Sequence, residues 1–211
     1  MKMKTVFDRY GYALVAVLLC AALLAGSLSD YFVRCRRLRG EVLRLHVVAN
    51  SDSAADQAVK LQVRDALLEA GAAVFGGAVS AAEAEEKLLP ALPLLERTAN
   101  RVLREQGFPY RARATVDRDY FEARAYGDLT LPAGSYRALR VILGSGAGQN
   151  WFCVMFPPLC LPAAEPAQRD ADAWAVFGED GAEVVRAKGG YKIKFRIAEL
   201  AEALWQKLTG D

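Results

Sequence analysis

The residues most able to do covalent chemistry are few. The chain of 211 residues has a single histidine, His46, and four cysteines, Cys20, Cys35, Cys153 and Cys160. A thiolate at Cys153 or Cys160, with His46 as base and Asn50 as orienting group, would make the nucleophilic site of a secreted or cell-envelope cysteine hydrolase. Zinc needs three or four ligands at short recurring spacings. One histidine and a Cys-x6-Cys pair fall short of that, so no metal and no other cofactor is expected. Gly144-Ser145-Gly146-Ala147-Gly148 has the glycine density of a phosphate loop. It lacks the Lys-Ser/Thr pair, and strand-like residues from Trp151 follow it instead of a helix, so it reads as a flexible hairpin tip and no small-molecule substrate is expected.

These groups need elements to position them, and one stretch dominates. Arg44 to Ala49 is an apolar strand that carries His46. Val59, Val63, Ala66 and Leu67 recur at three- and four-residue spacings in a helix that follows. Between them Asn50-Ser51-Asp52-Ser53 supplies four residues able to cap that helix. Asp56, Lys60 and Arg64 stand four apart on it, either as a solvated face or as a charged recognition face. Trp151, Phe152 and Phe156 are core on one side of a strand and an aromatic anchor on the other.

With 27 basic and 25 acidic residues the net charge is +2, without the concentrated basic excess of a nucleic-acid binder. Lys2, Lys4 and Arg9 precede an uncharged run from Tyr10 to Ser29, near the roughly 20 residues that span a bilayer. Residues 1–29 therefore read as a signal peptide or membrane anchor, residues 30–40 as a basic juxtamembrane linker, and residues 41–211 as one exported domain. Export makes disulfides admissible. A Cys153–Cys160 bridge around Pro157-Pro158 is the preferred pairing, contributing about 2–3 kcal/mol by restricting the unfolded chain, with Cys35 left over.

The expected fold class is α+β, a mixed, mainly antiparallel sheet backed by helices. A strand over Glu41–Ala49 leads to a helix over Ser53–Ala70 that stops at Gly71. A second helical region begins at Ser80, where Ser80 and Glu83 have capping-box spacing. Pro90 and Pro93 should split it or kink it strongly. Tyr110–Val116 and Phe121–Tyr126 alternate and read as a hairpin turning at Asp117-Arg118-Asp119. Strands over Tyr136–Leu143 and Trp151–Phe156 follow, then an irregular tract, a strand over Tyr191–Ile197 and a helix over Ala198–Leu208.

Three blocks carry a resemblance. Leu45-His46-Val47-Val48-Ala49-Asn50-Ser51-Asp52-Ser53, with Asp56-Gln57 and Lys60-Leu61-Gln62-Val63-Arg64-Asp65, is long and specific. Gly148 to Cys160 is the second block, with Phe152 where a second tryptophan is usual, and Tyr191–Ile197 is a weaker third. Together they resemble the stage II sporulation protein R family. That resemblance implies a signal and not an enzyme: a protein exported into the space between forespore and mother cell. There it would activate a membrane-embedded aspartic protease that processes the precursor of a mother-cell sigma factor. It implies no catalytic residues. Polar or aromatic type within the specific blocks makes His46, Asn50, Asp52, Asp56, Gln57, Lys60, Arg64, Asn150 and Trp151 the expected partner surface.

Overall fold

A computed structural model describes residues 2–126, 129–157 and 177. Helix α1 (Lys2–Gly40) leads directly to strand β1 (Leu43–Val48). Helices α2 (Ala54–Val74) and α3 (Ala81–Glu105) follow, then β2 (Ala112–Phe121), β3 (Arg124–Tyr126), β4 (Leu129–Leu131), β5 (Gly134–Leu143) and β6 (Asn150–Phe156). The main sheet has the order β2-β5-β1-β6, with β1 parallel to β5 and the other two pairings antiparallel. The mixed, mainly antiparallel α+β class is as expected.

Strand alternation divides the core in two. Leu43, Leu45 and Val47 of β1 point to the face covered by α2 and α3, where Val63, Leu67, Leu88, Leu95 and Leu103 complete the larger cluster. The opposite face holds a smaller cluster of Phe121, Leu131, Tyr136 and Val154, closed by Tyr31, Cys35 and Leu38 of α1. Residues 30–40 are thus helical and partly buried instead of a linker. Their apolar positions recur at i, i+4 and i+7, a helical stripe concealed among arginines.

Several local expectations give way to tertiary context. Gly71 does not end α2, which runs on to a cap at Phe75; the glycine is buried against β6, where a Cβ would meet Met155 Cε at 2.6 Å. Pro90 and Pro93 lie inside a continuous α3. Both face solvent, where water can satisfy the carbonyls that lose a helical N–H. The expected hairpin at Asp117–Asp119 is one uninterrupted strand, because β2 pairs with β5 from Ala112 to Phe121; the short hairpin is β3 with β4.

Ser53 caps α2 as expected, accepting from the Asp56 amide at 3.1 Å. Ser80 likewise accepts from the Glu83 amide at 3.2 Å, while the Glu83 carboxylate takes the Val79 amide. In α1, Tyr12 and Leu23 are 78% and 70% exposed. Among the described residues no helix is long and apolar enough to cross a membrane. Cys160, the expected strand at Tyr191–Ile197 and the final helix lie outside the described residues.

Candidate functional site

The polar corner forms where β1 ends and α2 begins. The glycine loop 144–148 leaves β5, and β1 lies between β5 and β6 in the sheet. The loop is therefore no hairpin tip; it crosses the C-terminal end of β1 and must lie against the corner. Asn50 is the first clamp. Its Oδ1 accepts from the Ser145 amide at 2.9 Å, and its main-chain oxygen accepts from Ser145 Oγ at 2.8 Å and the Ala147 amide at 3.1 Å. The Gly148 amide donates to the Ala49 oxygen at 2.9 Å, and the Gln149 amide donates to Asp52 Oδ1 at 2.7 Å.

The fit leaves no room for side chains. At Gly144, which has φ +56°, a Cβ would overlap Asn50 Oδ1; at Gly148 it would overlap the main-chain oxygen of Ser51. These glycines permit close backbone approach to protein, not to phosphate.

Asp56 is the hub beneath the clamp. Its carboxylate accepts from Ser51 Oγ at 2.5 Å, from Asn50 Nδ2 at 2.9 Å and from the Tyr110 hydroxyl. Those bonds, Ser51 first and Tyr110 next, hold its carboxyl below the ordinary value, because each donor favours the charged form. Burial and then the Asp56 carboxylate push the Tyr110 phenol well above its usual range. Lys60 sits beside the hub. Its Nζ donates to Gln57 Oε1 at 2.5 Å and to the Gln149 oxygen at 3.0 Å, tying the helix to the start of β6. Burial lowers the Lys60 pKa, against the opposing pull of Asp52.

Asp56 is 6% exposed and Lys60 4%, so neither belongs to an exposed charged face, and the expectation of an Asp56-Lys60-Arg64 recognition surface fails for those two. The Asp56–Lys60 face of the first two turns lies under the loop while Ala54, Ala55 and Ala58 are exposed, and of the three charged residues only Arg64 reaches the rim. There its guanidinium carbon lies 4.5 Å from the centre of the Trp151 ring, with Arg124 at 5.9 Å and Asp65 held at 2.7 Å.

His46 lies on the other face of the sheet and is 8% exposed. Nδ1 is 2.7 Å from Asp119 Oδ2 and Nε2 is 2.9 Å from Asn150 Oδ1. The ring packs 4.6 Å from the centre of Phe152. Register decides against the proposed hydrolase pairing. Cys153 stands opposite Leu45 and Phe152 opposite His46, and directly paired residues share a face. Cys153 thus points into the helix-covered core and His46 away from it. Both nitrogens of His46 are already engaged, so the imidazole works as a tie between β2, β1 and β6.

Sequence reasoning missed Asp119, Tyr110, Ser145 and Gln149. Asp119 shares the odd-numbered alternation of Phe121, a signal that was available. Gln149 acts through its main-chain groups and Ser145 through its amide as well as its hydroxyl, and composition does not reveal main-chain contacts. Among the described residues no group of three or more His, Cys, Asp or Glu side chains could hold a metal.

A family model described as Stage II sporulation protein R matches residues 39–165. Over 121 residues the chain is 35% identical to the Stage II sporulation protein R of Bacillus subtilis (strain 168), covering 57% of this chain and 54% of that protein. The match thus spans about half the length of that relative. No solved structure matches the chain. The corner, the glycine loop, β6 and the larger core cluster fall within the matched residues, and the chain belongs to the stage II sporulation protein R family.

Proposed function

We propose that this chain is an exported sporulation signal that activates a membrane-embedded aspartic protease, which then processes the precursor of a mother-cell sigma factor. The observation that carries the reading is the family match over residues 39–165. The basic N-terminus and the uncharged run from Tyr10 to Ser29 would deliver the domain to the space between forespore and mother cell and hold it at the membrane. The corner supports a binding role. Its polar groups are spent on one another, which makes a rigid platform, and a platform ordered in advance loses little entropy on binding.

The contact residues are those the platform leaves accessible. Asp52 and Asn150 are exposed, and Arg64 and Trp151 are half-buried at the rim. Trp and Arg are the side chains that most often dominate interfaces. His46, Asp56 and Lys60 would act from inside, by holding that surface in shape, with Asn50 and Gln57 between the two roles. A Cys153–Cys160 bridge would brace the strand behind it.

Reconstitution of the full chain with the candidate protease and the sigma precursor tests this. Arg64→Glu combined with Trp151→Ala should reduce processing at least tenfold while the domain keeps its melting transition, since two anchor residues at about 1–2 kcal/mol each would be lost. Unchanged processing by a folded double variant would rule out this surface. Absence of processing by the wild-type chain with every component present would rule out the function.

A further inference from the structure

The other end of β1 and β5, away from the corner, opens on a cleft of about 710 Å³. Its walls come from α1, the first turns of α3, β2 and the start of β5. Among the described residues, Arg36, Arg39, Arg118 and Arg137 line it with one lining carboxylate, Glu85, and Asp117 acts on Arg137 from nearby. Glu85 is already bonded to Arg137. Arg39 is held across the cleft wall by donating to the Ala133 oxygen at 3.0 Å. Gly134, with φ +140°, permits this, because any Cβ there would overlap the Arg39 guanidinium. Arg36 and Arg118 are exposed, and neither guanidinium has a carboxylate partner among the described residues. Ala81 and Ala82 bring the first amides of α3, which by helix geometry have no intrahelical acceptor. The charge that would complete this cleft is negative, and the Arg side chains match phosphate oxygens in shape.

Its position on α1 selects the source of that phosphate. Arg36 lies seven residues beyond Ser29, the end of the uncharged run, or about 10 Å along a helix. The head-group layer extends roughly 5–8 Å beyond the hydrocarbon on each side, and a long arginine side chain can reach back into it. Phe32, a turn before Arg36, lines the same cleft. We propose that this cleft seats the phosphates of acidic phospholipid head groups, docking the domain at a fixed height and orientation on the membrane. This rests on the reading of α1 as a membrane anchor.

Hydrogen exchange of the full chain in nanodiscs tests it. Discs of phosphatidylcholine alone are compared with discs that also contain phosphatidylglycerol. Amides of residues 39–42 and 81–85 should exchange several-fold more slowly in the acidic discs. Arg36→Gln with Arg118→Gln should weaken that protection by about fivefold per arginine, while residues 144–149 exchange as in the wild type. Equal exchange in the two kinds of disc, with the chain inserted in both, would overturn the head-group proposal and leave the anchor reading standing. Equal protection from inorganic phosphate added to neutral discs would overturn the lipid source in favour of a free anion. Failure of the chain to enter either disc would instead overturn the anchor reading, and the proposal with it.

Discussion

Replacing Asp56 by Ala removes the acceptor of three side-chain donors at once: Ser51, Asn50 and Tyr110. A hydrogen bond to a charged group nets about 1.5–3 kcal/mol, so independent loss would approach 5–9 kcal/mol. The true figure should be smaller, because the corner lies at the sheet rim and water can follow the vacated carboxylate. An expected cost of about 3–5 kcal/mol remains a large share of a typical 5–15 kcal/mol fold stability. Asp56→Asn keeps one acceptor and the shape, and should cost about 1–2 kcal/mol. Urea unfolding of the full chain gives the totals. Hydrogen exchange of Ser145, Ala147, Gly148 and Gln149 reports the local event, since Ala49, Asn50 and Asp52 hold those amides from the corner.

The pH response carries a definite sign. The Asp56 carboxyl is depressed below its ordinary 3.8 in the fold. Its stabilisation is therefore fully present above that value and is lost as pH falls through the lower folded-state value. Between pH 7 and about pH 3 the wild type should lose stability that Asp56→Asn has no means of losing. An Asp56→Ala protein with wild-type unfolding and unchanged exchange at those four amides would refute the hub.

Other consequences are as direct. Gly148→Ala should destabilise by about 2–4 kcal/mol and accelerate exchange in the loop, because its Cβ meets main-chain oxygen that cannot step aside; thermal melting detects it. Arg44 is fully buried, with its guanidinium carbon 3.9 Å from the centre of the Phe121 ring and an Nη2 bond to the Tyr126 hydroxyl at 2.5 Å. No carboxylate among the described residues answers its charge, and burial lowers its pKa. Arg44→Met should therefore be neutral or stabilise by up to about 2 kcal/mol, whereas Arg44→Ala should cost about 3 kcal/mol through the cavity it leaves; chemical denaturation separates the two. In the oxidised full chain, peptide mapping should recover Cys153 linked to Cys160, and alkylation before reduction should leave Cys153 unlabelled. Labelling of Cys153 would refute that bridge.

Much of this protein is written in local order. The strand around Leu43–Val48, the Ser53 and Ser80 caps and the apolar face of α3, though not its continuity through Pro90 and Pro93, follow from side-chain periodicity and from short-range hydrogen bonding, which neighbouring residues determine by themselves. The α+β class follows as well, because alternation and helical spacing are one-dimensional signals, whereas glycine density alone reads as a flexible hairpin tip and not as the close approach the loop makes. The family resemblance rested on runs of that kind, and the match over residues 39–165 agrees with it.

Tertiary structure decided what those pieces do. Sequence placed Asp56 and Lys60 on a solvated or recognition helix face and left a pairing of His46 with Cys153 open as an alternative. Insertion of β1 between β5 and β6 carries the glycine loop over the corner, buries Asp56 and Lys60 beneath it, and sets His46 and Cys153 on opposite faces of the sheet. Strand order is a pairing of residues about a hundred positions apart, and no local propensity encodes it. The same holds for the arginine cleft. Its four arginines are scattered from residue 36 to residue 137 and read in one dimension as ordinary solvated charge. Only the packing of α1 and α3 about the start of β5 gathers them into one place.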